Sequence, residues 1–124
     1  MALDSNLTCV TLEAGGDLSA GQYRFVELAS DAQVDVASAA GGDAVGVLQN
    51  DPSAAGRVAT VAVMGVTKLV AGAAVAAGDK LQAGADGRGL TAASGDVVLG
   101  RALTAASQAG DVIECLLVSQ HVLA

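Results

Sequence analysis

The 124-residue chain has no tryptophan, one tyrosine, one phenylalanine, one proline, one histidine and two cysteines. Without a group of aromatic rings there is no platform on which sugars or bases could stack. Tyr23 and Phe25 stand two apart, so on a strand they share one face and read as the two large residues of a small-residue core. Cys9, Cys115 and His121 are the only soft or imidazole ligands and are far apart in sequence, which excludes a CxxC redox pair and a thiolate zinc site. A general base needs a nucleophile and an orienting partner, and no such constellation surrounds His121, which reads as a surface or partly packed residue of a terminal strand. Basic residues are also few, six Lys and Arg scattered singly from Arg24 to Arg101 against 13 Asp and Glu, a net charge of −7. Phosphate neutralisation needs clustered cations, so nucleic-acid binding is excluded. No charge-free run exceeds ten residues, well short of the ~18 that a spanning helix requires. Met1 to Leu7 has neither the basic start nor the apolar run of a secretory signal, which points to synthesis in a cytosol. In that reducing setting the two thiols are expected to be free and buried, a disulfide between first and last strands being the alternative.

What the chain does have is 27 Ala, 17 Val, 14 Leu and 16 Gly, the glycines falling mostly between short apolar runs. That punctuation is the signature of an all-β fold. Strands are expected at Thr8–Leu12, Gln22–Leu28, Gln33–Val36, Ala44–Leu48, Arg57–Val63, Val66–Val70, Leu90–Ala92, Val97–Leu103 and Asp111–Val118, with a further strand fed by the turn Ala76–Leu81. The alanine-rich stretches Val70–Ala77 and Leu103–Ala109 leave room for one short helix. Gly-Asp recurs at 16–17, 42–43, 78–79, 95–96 and 110–111, each pair reading as a strand entry in which Gly takes φ > 0 and Asp bonds the local backbone. Laid over one another at an offset of 54, Gly46–Val61 and Gly100–Cys115 match at Gly46/Gly100, Ser53/Ser107, Ala55/Ala109, Gly56/Gly110 and Val58/Val112, which suggests two similar hairpins.

The acidic residues spell no site. Most of the ten Asp lie beside Gly or Ser, where turn formation explains them. Asp86-Gly87-Arg88-Gly89 lacks the ligand ladder of a calcium loop, and no glycine-rich run ends in the Gly-Lys-Ser/Thr of a phosphate loop. No cofactor and no metal are expected.

Four segments occur in a telling order: the apolar run Val70–Leu81 ending in Gly-Asp-Lys-Leu, the polar hairpin Ala85–Ala92, the strand Val98-Leu-Gly-Arg-Ala-Leu103, and Gly110–Leu117 entered by Gly-Asp. Together they resemble the capsid decoration or cement proteins of tailed bacteriophages, over roughly residues 8 to 120. The resemblance implies a small single-domain β-barrel or β-tulip of residues 8–124, no catalysis, and a place on the outer surface of the virion head. There it implies that the protein stabilises the lattice of the major capsid protein by bridging subunits, commonly as a homotrimer and in some relatives as a dimer. In relatives an N-terminal arm adds to capsid strands; here residues 1–7 form the corresponding flexible arm, with Leu3, Asp4 and Leu7 as contact candidates. The loop holding Asn50, Asp51 and Pro52 is a second contact candidate, its proline stiffening a polar tip. The competing reading is an adhesin or receptor-binding β module of the virion. A hydrolase would need a cleft joining His121 to a Ser and an Asp, and a biotinyl or lipoyl carrier would need a Met-Lys-Met hairpin that neither Lys68 nor Lys80 provides.

Overall fold

The computed structural model describes residues 7–124. Among them every regular element is a strand: β1 (Thr8–Ala14), β2 (Phe25–Ser30), β3 (Gln33–Val36), β4 (Gly46–Leu48), β5 (Val58–Val70), β6 (Lys80–Ala83), β7 (Gly89–Thr91), β8 (Val97–Ala102) and β9 (Val112–Val122). They lie in the order β1-β3-β2-β4-β5-β9-β8-β6-β7. Two closures convert that order into two small barrels. β1 pairs antiparallel with the first half of β5, from Thr8↔Met64 to Glu13↔Val58, and parallel with β3 at Ala14↔Val34. The first five strands thus return on themselves around Ala14, Leu18, Val26, Val34, Leu48, Ala59 and Val61. The second half of β5 pairs with β9, from Gly65↔Leu117 to Val70↔Val112, and just beyond it Ala71 bridges Gly89 in parallel. That closes the other ring around Leu69, Val75, Leu81, Leu99, Ile113 and Cys115. Narrow barrels have room only for small aliphatic side chains, which is the physical sense of a chain built from Ala, Val and Leu.

The two barrels are copies of one unit. Val47↔Ala62 and Leu48↔Val61 become Arg101↔Leu116 and Ala102↔Cys115 when 54 is added to each number. Val26↔Val36, Glu27↔Asp35 and Leu28↔Val34 become Leu81↔Thr91, Gln82↔Leu90 and Ala83↔Gly89 at an offset of 55. Loop hydrogen bonds repeat as well. Ala14 N to Arg57 O matches Ala71 N to Asp111 O, both 2.8 Å, and Tyr23 N to Leu48 O matches Gly78 N to Ala102 O, both 2.7 Å. The side-chain clasp from Asn50 Oδ1 to Thr60 N, 3.0 Å, recurs as Thr104 Oγ1 to Glu114 N, 2.9 Å. β5 is the last strand of the first unit and the first strand of the second. The hairpin repeat expected at an offset of 54 therefore extends to the whole domain.

Several expectations are corrected. No helix forms in Val70–Ala77 or Leu103–Ala109; Val75 and Ala106 exchange two 3.0 Å backbone bonds across those stretches. The runs Arg57–Val63 and Val66–Val70 are one strand, bent at Gly65, whose φ is +105°. β2 begins at Phe25 rather than Gln22, because Tyr23 sits in a turn with φ +63°, where the second unit has Gly78. Tyr23 and Phe25 thus do not share a strand face: Phe25 is fully buried, whereas Tyr23 is half-exposed with the Lys68 ammonium 5.8 Å from its ring centre. Of the two free thiols only Cys115 is buried; Cys9 is exposed, because β1 turns most of its length to solvent. Of the five Gly-Asp pairs, those at 78–79, 95–96 and 110–111 directly precede strands. In each of them Gly has φ of +92° to +93° and the Asp carboxylate accepts a backbone N–H three residues back, from Ala76, Ala93 and Gln108.

Two kinds of glycine follow. At Gly46 a Cβ would strike the Ala62 carbonyl, and at its counterpart Gly100 it would lie 2.5 Å from Cys115 Sγ. At Gly78 and Gly95 a Cβ would meet nothing within 4 Å, and only the positive φ is at issue. Gly46→Ala and Gly100→Ala should each destabilise by about 3 kcal/mol, and Gly78→Ala by about 1 kcal/mol, in equilibrium urea unfolding. The thiols give a second check. Burial pushes the Cys115 thiol up to about 12, so native protein should take up one equivalent of iodoacetamide, on Cys9, and a second only in denaturant.

Candidate interaction surfaces

Leu3 and Asp4 lie outside the described residues. Leu7 is half-buried and lines a hollow with Tyr23, Lys68 and Glu114, beside the side of the domain from which the chain enters β1. Asn50, Asp51 and Pro52 together line an open hollow between β4 and β5, with Arg57 and Val58 on its other wall. Their roles differ. Both ends of the Asn50 amide are engaged with β5, at Val58 O (2.9 Å) and Thr60 N (3.0 Å), a clasp that Thr104 repeats in the second unit. Pro52 is buried, not at a tip, and its carbonyl accepts the Leu18 N–H at 2.8 Å. Only Asp51 of the three presents its side chain freely to solvent.

Exposed aliphatic side chains are numerous for so small a domain: Leu28, Val58, Met64, Val112 and Val122 are each more than half exposed. A separate group of side chains is organised. On the outer face of the second barrel, Lys80, Arg101 and Leu116 stand side by side in register across β6, β8 and β9. With Val98, Val118 and His121 they line a groove of about 120 Å³. Gly100 deepens it by contributing no side chain. The sequence gives no hint of this assembly, because Lys80 and Arg101 are brought together only by strand pairing.

His121 is exposed, and its Nδ1 lies 2.9 Å from the Ser119 carbonyl, which can only accept. No serine hydroxyl or carboxylate is hydrogen-bonded to it among the described residues, nor do they contain a group of three or more potential metal ligands. The carboxylates with shifted acidity are turn-formers. Hydrogen bonds from Ser107 and Gln108 hold Asp111 below the usual range, and those from Ser19 do the same for Asp17. For Asp86 partial burial acts upward, but hydrogen bonds and charge from Arg88, ion-paired at 2.8 Å, with Arg24 farther off, leave it lowered. These residues shape loops.

The described residues thus form two fused barrels with several aliphatic side chains exposed. Residues 5–117 match the model of the phage cement protein family, and the chain belongs to that family. No curated protein matches it. Among solved structures, it is similar to the N base of the head fiber gp8.5 of bacteriophage phi29, with a TM-score of 0.72 at 20% identity over 90% of this chain and 94% of that one. At that identity the likeness concerns the fold.

The turn carboxylates set an acid limit. A carboxylate whose folded value lies below its unfolded value stabilises the fold above the unfolded value and ceases to do so as pH falls through the folded one. Thermal stability should therefore decline as pH drops below about 4, the ordinary carboxylate value being 3.8. Asp111→Asn should flatten that decline relative to wild type in melting curves taken from pH 7 to pH 2.

Proposed function

We propose that the protein is a capsid decoration protein that binds the outer surface of the phage head and stabilises the major capsid protein lattice by bridging neighbouring subunits. The family match over residues 5–117 carries this reading. The fold shared with a head fiber base supports it, and so does a surface rich in exposed aliphatics without a catalytic cluster. A ligand that binds only the assembled lattice shifts the equilibrium toward it, so many small contacts suffice to resist the pressure of packed DNA. Self-association, as a homotrimer in this proposal, makes each later contact of the assembly effectively intramolecular. The protein is made in the host cytoplasm and reaches the virion by this binding; it performs no catalysis.

Two segments make the contacts in this reading. Residues 1–7, with Leu3, Asp4 and Leu7, lead directly into β1 and add as an extended strand to the capsid sheet. Asp51 is the solvent-facing member of the rigid loop anchored by Asn50 and Pro52. Deleting residues 2–7 should leave the domain folded and weaken binding to purified undecorated heads by on the order of tenfold, about 1.4 kcal/mol. Occupancy measured by sedimentation with heads checks this; undiminished binding removes the arm from the mechanism, and failure of the intact protein to bind heads overturns the reading itself.

A further inference from the structure

The two units differ most where they are most alike in backbone. The row Lys80–Arg101–Leu116 on the outer face of the second barrel corresponds, strand for strand, to Phe25–Val47–Ala62 in the first. Those three are each 0% exposed. They are buried because the second unit covers them: Phe25, Ala44 and Val47 join its core, and Leu99, Leu117 and Gln120 line a small cavity with Phe25 and Ala44. The Gln120 amide ties the cover down by donating to the Ala44 carbonyl. The same face of the second unit has no third unit to cover it. There Leu116 is 37% exposed, and Lys80 and Arg101 lie directly opposite one another across β6 and β8.

Like charges directly opposite on neighbouring strands repel. Among the described residues the one ion pair is Arg88 with Asp86, and no carboxylate lies within 4 Å of the Lys80 or Arg101 charge. An occupant of this groove must bring negative charge and an apolar tip. The chain itself supplies one. Residues 1–57 hold eight acidic and two basic residues, net −6, while residues 58–124 hold five and four, net −1. On the first unit Leu28, 60% exposed, stands over an open hollow shared with Glu27 and Asp43. The exposed Asp43 stands on the same hollow, while the Glu27 carboxylate is held by the Ser38 N–H and hydroxyl at 3.0 Å each.

We propose that the groove of Lys80, Val98, Arg101, Leu116, Val118 and His121 is a self-association site occupied by the Leu28 projection of a second copy of this chain. Leu28 covers Leu116 and Val118, while Asp43 offers its carboxylate to the two facing cations. The contact joins different surfaces of two copies, the first unit of one seating on the second unit of the next, as the second unit already seats on the first within one chain. This inference rests only on the self-association part of the proposed function and is independent of whether heads are bound.

Sedimentation velocity on the purified chain at 50 mM and 500 mM NaCl tests it, with thermal melts confirming that each variant is folded. Wild type should associate, more weakly at high salt. Lys80→Glu with Arg101→Glu should weaken association at least tenfold, as should Asp43→Lys, and mixing the two variants at equal amounts should restore it, since each then offers what the other lacks. Leu28→Ser should weaken it without the salt dependence changing. A wild-type chain that stays monomeric at millimolar concentration overturns both this inference and self-association. Wild-type association left intact by all three variants overturns the groove alone. Should the charge variants lose binding to heads while wild type is monomeric, the groove belongs to the capsid and the second-copy assignment is wrong.

Discussion

Everything in this molecule hangs on β5. A strand of 13 residues gives its first half to one barrel and its second half to the other, and both rings close only because it is there. The bend at Gly65 lets a single strand serve two curved sheets. Such a strand binds the two cores into one cooperative structure even though each, taken alone, consists of small side chains that bury little area apiece.

Small residues are what make that sharing feasible. A Cβ at Gly46 would strike the Ala62 carbonyl and one at Gly100 the Cys115 sulfur, so the barrels are drawn tight at equivalent points. Phe25, the one phenylalanine, belongs to β2 of the first unit yet is buried in the core of the second.

The strand content and much of its phasing were legible in the chain, because glycine spacing and Val-rich runs mark strand ends irrespective of tertiary contacts. β3 falls on Gln33–Val36 as expected. The failures have local causes. Alanine's helix propensity at Val70–Ala77 yields to the backbone bonds that Val75 makes with Ala106. Tyr23 adopts a left-handed turn conformation that its residue type disfavours, held by backbone bonds of its N–H to Leu48 and its carbonyl to Val70. The contact candidates fared by the same logic: a polar loop is visible in sequence, but that Asn50 and Pro52 are turned inward depends on partners elsewhere in the chain. The facing pair Lys80 and Arg101 was hidden altogether, since residues 21 apart become neighbours only through strand register.

The direction of β1 carries one more consequence. It lies antiparallel along β5 over six residue pairs, and the chain enters it from the N-terminal end. Tension applied through the preceding residues along that axis would load the whole ladder in shear, with its hydrogen bonds resisting together instead of opening one after another like a zipper. Loaded in that way, the seam yields at the summed strength of its bonds and not at its weakest stitch.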